Sequence, residues 1–142
     1  MRQPIQVLIY IYRETERGRE YLMLRRIPAG GGFWQGVSGG VEDDEDVLTA
    51  ACRELREETG FTAEIHSIGY AYPIPSFHDR KLRGALAGSN IPVNVFVARV
   101  SSEAEPVIDP QEHDMYLWCP LVQADRLLYW PKIGRASCRE RV

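Results

Sequence analysis

The sequence predicts an α/β fold of the α+β kind, one domain in which several short strands accompany two helices. Three observations carry that reading. β-Branched and aromatic runs at residues 6–12, 21–26, 63–72 and 93–100 alternate with charged or Gly- and Pro-bearing turns. Residues 46–59 hold neither Gly nor Pro and are rich in Ala, Leu and Glu, the composition of a helix. The chain has 142 residues, 44% of them hydrophobic, which suits one core.

The elements follow in order. Runs 6–12 and 21–26 flank the charged, Gly-containing turn 14–20 and read as a hairpin. Residues 28–32 form a flexible loop, and 33–38 lead into a Gly-Gly turn. The helix over 46–59 opens with an acidic first turn and buries a stripe of Val47, Leu48, Ala51 and Leu55, with Gly60 as its C-cap. Gly39 and Gly40 occupy a sharp turn that calls for positive φ and close backbone approach. Residues 63–72 and 93–100 are strands, and 73–92 is a long loop carrying Arg80, Lys81 and Arg83. This basic cluster stands out in an otherwise acidic chain. A short strand at 114–119 precedes a second helix over 120–128 with Pro at its start. Trp118 and Phe96 are assigned to the core, Tyr116 to the exposed face.

The chemistry lies between Gly39 and Phe61, where the chain reads G-x5-E-x7-R-E-U-x-E-E-x-G-U, U being a bulky apolar residue. The fixed positions are Gly39, Glu45, Arg53, Glu54, Glu57, Glu58 and Gly60. A chance match is on the order of 10⁻⁸ per starting position at ordinary residue usage. On a helix the Glu54 and Glu58 carboxylates, four residues apart, stack on one face, with Glu57 beside them. Like charges so placed repel. A hard divalent cation such as Mg²⁺ offsets that repulsion and takes its remaining ligands from substrate phosphates. Arg53, four residues before Glu57, ties that carboxylate down and lies near Glu45.

This string resembles the Nudix box, the signature of hydrolases that cleave nucleoside diphosphates linked to another group. The strings L-M-L-R-R, F-W-Q-G-V-S-G-G-V-E and E-H-D-M-Y-L-W extend the resemblance toward the dihydroneopterin triphosphate pyrophosphatase branch of that family. The resemblance implies an α/β/α sandwich with a mixed sheet and a C-terminal helix that is cut short. It implies a phosphoric anhydride hydrolase that is Mg²⁺-dependent, with Mn²⁺ as a substitute, and a place in folate biosynthesis. A metal-activated water would attack a triphosphate, most directly dihydroneopterin triphosphate or a dNTP, to give monophosphate and pyrophosphate. By the same resemblance Glu54 and Glu58 bind the metal directly. Glu57, Glu112 and the carbonyl of Gly39 complete the site, and one carboxylate is the general base. Arg53 joins the glutamates in the catalytic set. Arg26 is either a phosphate contact or a strand-end charge. Trp34 and Gln35 stand where they can flank a base or pterin, Trp34 serving either there or in the core. His66, His78 and His113 are left out of the chemistry. The alternatives are a housecleaning hydrolase of dinucleoside polyphosphates or ADP-ribose, and a non-catalytic nucleotide sensor.

Composition narrows the remaining classes. The net charge of −3 argues against a nucleic-acid partner. The longest apolar run, 7–12, is too short for a bilayer and no signal-peptide pattern precedes it, so the expected setting is the cytoplasm. There Cys52 and Cys119 read as reduced core or near-core residues. The last residues, I-G-R-A-S-C-R-E-R-V, break with the preceding composition. With suitable codons they back-translate to ATC GGA AGA GCG TCG TGT AGG GAA AGA GTG, a common sequencing adapter. The expected domain is therefore 1–131, with 132–142 a non-native read-through whose Cys138 carries no meaning.

Overall fold

A single long strand, β1 (Arg2–Thr15), organises the sheet because it ladders with different partners along its length. The structure is a computed structural model that describes residues 2–75 and 90–128. β2 (Gly18–Arg26) turns back on β1 through Glu16 and Arg17, with Gly18 at φ 113°. The hairpin extends beyond the apolar runs because its charged residues pair across the ladder. Arg13 faces Glu20 and Glu14 faces Arg19 in register, and their side chains meet at 2.9 and 2.8 Å.

β3 (Trp34–Gln35) lies on β2, and β4 (Val37–Glu42) runs antiparallel to the first half of β1. On the other side of β1, β6 (Asn90–Arg99) is parallel in a register from Gln6↔Val93 to Tyr12↔Arg99. β5 (Ile65–Pro75) pairs antiparallel with β6, and β7 (His113–Cys119) antiparallel with β2. The sheet is therefore mixed, in the order β3-β2-β1-β6-β5, with β4 on β1 and β7 on β2.

Both faces of the sheet are covered. Val7, Ile9, Ile11, Leu22, Leu24 and Phe96 point to the face packed by α1 (Val47–Thr59) through Ala50, Ala51 and Leu55. Leu8, Tyr10, Val93, Val95 and Val97 point to the other face, covered by Ala124 and Leu128 of α2 (Leu121–Leu127) and its end. A strand segment buried on both sides has no polar alternation, which is why residues 7–11 of β1 read as an unbroken apolar run. This is the expected α/β/α layering.

Several expectations change. Asp46 lies outside α1 as its N-cap, accepting from the Thr49 N–H at 2.8 Å, so the first turn itself carries no acid. Leu48 is half exposed, and Ala50 takes its place in the buried stripe. Cys119 is buried as expected, whereas Cys52 is exposed. Residues 28–30 form a 3-10 turn. Gly39 and Gly40 do not have positive φ. The expected loop 73–92 is shortened at both ends, since Pro73–Pro75 belong to β5 and Asn90–Pro92 to β6. Arg80, Lys81, Arg83 and His78 lie outside the described residues, as do residues 129–142 with Cys138 and the expected truncation of the last helix. No described helix is long and apolar enough to cross a membrane.

Candidate active site

Gly39 in β4 faces the middle of α1. A Cβ on residue 39 would fall inside the Glu54 carboxylate, so glycine is needed there for close approach rather than for an unusual backbone angle. The same strand-to-helix segment supplies Glu45, and α1 supplies the remaining box residues.

Arg53 holds these pieces together. Its Nε and Nη2 donate to the two Glu45 oxygens at 2.7 and 2.8 Å, a bidentate fork. Nη2 also donates to the Gly40 carbonyl at 2.9 Å. Nη1 donates to Glu54 at 2.8 Å and to Glu57 at 3.2 Å. One guanidinium therefore fixes the turn, the residue before the helix and two carboxylates on it. The Arg53 hydrogen bonds hold the Glu45 carboxyl down at about 2 against the cost of desolvation. Arg53 itself stays firmly protonated, its pKa raised first by Glu45 and then by Glu54 despite partial burial.

Glu58, one turn beyond Glu54, is only 3% exposed. Burial pushes its carboxyl well above the usual range, and the hydrogen bond and charge of Glu54 push the same way. Burial raises Glu54 as well, while the hydrogen bonds from Glu58 and Arg53 oppose it. Both carboxyls thus resist ionising, chiefly because each is removed from water. Glu57, with a side chain 55% exposed, stands at the solvent rim, tethered by Arg53.

The remaining acidic side chain comes from far away in sequence. The Glu112 carbonyl accepts from Ile27 N–H at 3.0 Å, and the turn before it is closed by Glu112 and His113 N–H donating to the Asp109 carbonyl at 3.0 and 2.9 Å. β7 then carries a bulge against β2: Arg25 pairs with Met115 and Arg26 with His113, leaving Asp114 extra. The extra residue turns His113 to the α1 side of the sheet, together with Tyr116 and Trp118. Tyr116 is thus packed inward and Met115 is the exposed member, the reverse of expectation. Phe96 is core, whereas Trp118 lies at its margin with its indole N–H donating to Glu105 at 2.8 Å.

His113 is 1% exposed, and burial drives its pKa down to about 4, helped by the positive charge of Arg26. Its Nε2 lies 3.9 Å from Glu58 Oε1, too far for a hydrogen bond. Among the described residues neither imidazole nitrogen nor Glu58 Oε1 has a hydrogen-bond partner. Each such buried group costs about 1–3 kcal/mol when left unmade. Glu58, Glu112 and His113 place one ligand atom each within 4.8 Å of one another. Orphaned buried oxygen and nitrogen atoms, a carboxylate pair that resists ionising alone and a glycine cradle against Glu54 together fit a divalent cation.

The residues expected to touch substrate are placed as follows. Arg26 ends β2 with its Nε donating to the Gly30 carbonyl at 2.9 Å, and its charge is felt by both Glu58 and His113. Trp34 packs against the second core cluster and has the Arg25 guanidinium 5.8 Å from its ring centre. Gln35 is buried and donates to Ser38 Oγ of β4 at 3.0 Å.

The family model of the NUDIX domain matches residues 2–138. The chain belongs to the Nudix family. Among solved structures this Nudix chain is similar to a NUDIX hydrolase of Listeria monocytogenes, with TM-score 0.81 and 28% identity over 96% of this chain and 91% of that one. Among curated proteins, an octanoyltransferase of Myxococcus xanthus is 35% identical over 97 residues, 68% of this chain and 25% of that protein. The dihydroneopterin triphosphate diphosphatase of Escherichia coli is 37% identical over 57 residues, 40% of this chain and 36% of that protein. These matches span less than half the length of either curated relative.

Within the Nudix site, the structure brings Gly39, Arg53, Glu54, Glu58 and Glu112 together, keeps Glu57 at the rim and leaves Trp34 and Gln35 on the neighbouring β3. His113 is the residue that sequence reasoning set aside. Its signal was adjacency to Glu112, but no ligand spacing marks it, and the bulge at Asp114 that turns it toward α1 depends on pairing with β2.

Proposed function

We propose that this Nudix domain is a divalent-metal-dependent pyrophosphohydrolase acting on a pterin or nucleoside triphosphate and releasing a monophosphate and pyrophosphate. The observation that carries the reading is the buried Glu54–Glu58 pair, clamped by Arg53 on one side and met by Glu112 on the other. Glu54, Glu58 and Glu112, with the Gly39 carbonyl and Glu57 in support, would hold the ion; we propose Mg²⁺, replaceable by Mn²⁺. When bound, it supplies charge neutralisation on the phosphate oxygens and a lowered pKa for adjacent water.

The chain's own groups do the rest. Arg53 fixes Glu54 and Glu57 so that neither has to reorganise during the reaction. Water attacks one phosphorus, a box carboxylate takes its proton, and the P–O bond to the departing pyrophosphate breaks. Glu57 is the box carboxylate most open to incoming water and phosphate. Arg26, at the end of β2 and electrostatically coupled to Glu58, is placed to draw the phosphate chain toward the carboxylates.

The pterin preference rests on the flanking strings and on similarity to the Escherichia coli diphosphatase. A panel of dihydroneopterin triphosphate, dATP, 8-oxo-dGTP, diadenosine tetraphosphate and ADP-ribose tests it, with products resolved by chromatography. The highest kcat/KM is expected for dihydroneopterin triphosphate or a dNTP, with pyrophosphate released. Faster turnover of the dinucleotide or ADP-ribose would move the substrate class, and no turnover of any member with Mg²⁺ or Mn²⁺ would remove the enzyme reading.

A further inference from the structure

We propose that His113 is a nitrogen ligand to the divalent cation, sharing it with Glu58 and Glu112, and that it biases the site from Mg²⁺ toward first-row ions such as Mn²⁺. The inference rests on the metal-dependent reading above and deepens it. His113 is 1% exposed and faces Glu58, yet among the described residues neither ring nitrogen has a partner. A buried imidazole with nothing to bond is waiting for a ligand, a water or an ion.

The separation decides among these. At 3.9 Å, Nε2 and Glu58 Oε1 are too far apart to bond to each other. Two ligands on one ion at bond lengths of about 2.0–2.2 Å stand roughly 3 to 4.3 Å apart, according to whether they are cis or trans. The 3.9 Å spacing lies within that range, and Glu112 falls within 4.8 Å of both. The bulge that adds Asp114 to β7 is what delivers the ring to this side of the sheet. A lone bridging water is the competing occupant, and it would leave the metal with oxygen ligands alone. Oxygen-only sites suit Mg²⁺, whereas an imidazole raises affinity along the first-row series and does little for Mg²⁺.

The test is electron spin-echo spectroscopy of the Mn²⁺-loaded chain, with Mn²⁺ and Mg²⁺ affinities measured alongside by calorimetry. The wild type, and a His66→Gln, His78→Gln double variant that retains residue 113, should both show directly coordinated nitrogen. His113→Gln should lose that coupling and bind Mn²⁺ about 10–100-fold more weakly, with a much smaller change for Mg²⁺. Should His113→Gln fail to fold, the first two spectra decide alone. Mn²⁺ bound without nitrogen coupling, but lost in Glu58→Gln, overturns the role of His113 and leaves the metal reading standing. No binding of either ion overturns both.

Discussion

The Glu54 carboxylate occupies the space that a side chain on Gly39 would need, and a hydrogen bond from Arg53 holds it there. Gly39→Ala is therefore expected to act on activity more than on stability. The added methyl displaces a carboxylate that the proposed reaction uses in place, and a shift on the order of 1 Å can cost about 10²-fold in rate. Steady-state kinetics and a thermal melt of the variant check this. A fall in melting temperature with unchanged kcat would show that the contact serves packing alone.

Glu58→Gln separates stability from catalysis. The substitution keeps size and removes an ionisation that burial opposes, so kcat should fall by about 10²–10⁴. Metal-free stability should hold or rise, and the sign with pH is fixed. A carboxyl whose folded pKa lies above the ordinary 4.5 carries no ionisation cost below 4.5, and a growing one as pH rises toward its folded value. The advantage of the variant over wild type in chelator should accordingly widen as pH rises above the ordinary 4.5. Near-normal turnover with Mg²⁺ would mean that this helix face is not the site.

Arg53→Lys keeps the charge and loses the fork. Lysine cannot reach both Glu45 oxygens, the Gly40 carbonyl and Glu54 together. Denaturant melts should show a loss of about 1–3 kcal/mol, with kcat reduced because Glu54 and Glu57 are no longer held. Wild-type behaviour of the lysine variant would reduce Arg53 to a simple counter-charge.

Acid stability should carry the mark of Glu45. Its carboxyl sits at about 2 in the folded chain against 4.5 ordinarily, chiefly through Arg53. A lowered carboxyl contributes stability that is fully present above about 4.5 and drains away as pH falls toward 2. Urea midpoints at pH 7, 5, 4 and 3 should drop more steeply for wild type than for Glu45→Gln. Parallel slopes would assign acid sensitivity elsewhere.

The tail remains a proposal. The family match runs to residue 138, and residues 132–142 lie outside the described part of the chain. If they are adapter-derived, deleting them changes stability by less than about 0.5 kcal/mol. A loss of several kcal/mol would return them to the domain.

The box could be read from sequence because its parts are local. Helical period alone puts Glu54 and Glu58 on one face, and the N-cap and C-cap at Asp46 and Gly60 mark the ends of α1. What was misread depended on rotation or on distant pairing. Leu48 and Ala50 stand about 160° apart around the helix axis, and the small residue is the one buried where α1 lies close on the sheet. Tyr116 was read as exposed although it stands two residues from Trp118, and alternation keeps the two on one face. His113 was set aside for want of a ligand spacing, and the bulge at Asp114 that turns it toward Glu58 depends on pairing with β2. The reach of β1 and β2 was underestimated because charged residues usually mark turns, whereas here they pair across the hairpin.

The tie from Ile27 N–H to the Glu112 carbonyl has a consequence for how the site is put together. Everything from Gly39 to Glu58 can assemble from neighbouring sequence, but Glu112 and His113 arrive only when the last strand docks on β2. The proposed site is therefore completed by the long-range pairing of β7 with β2, not by the box alone.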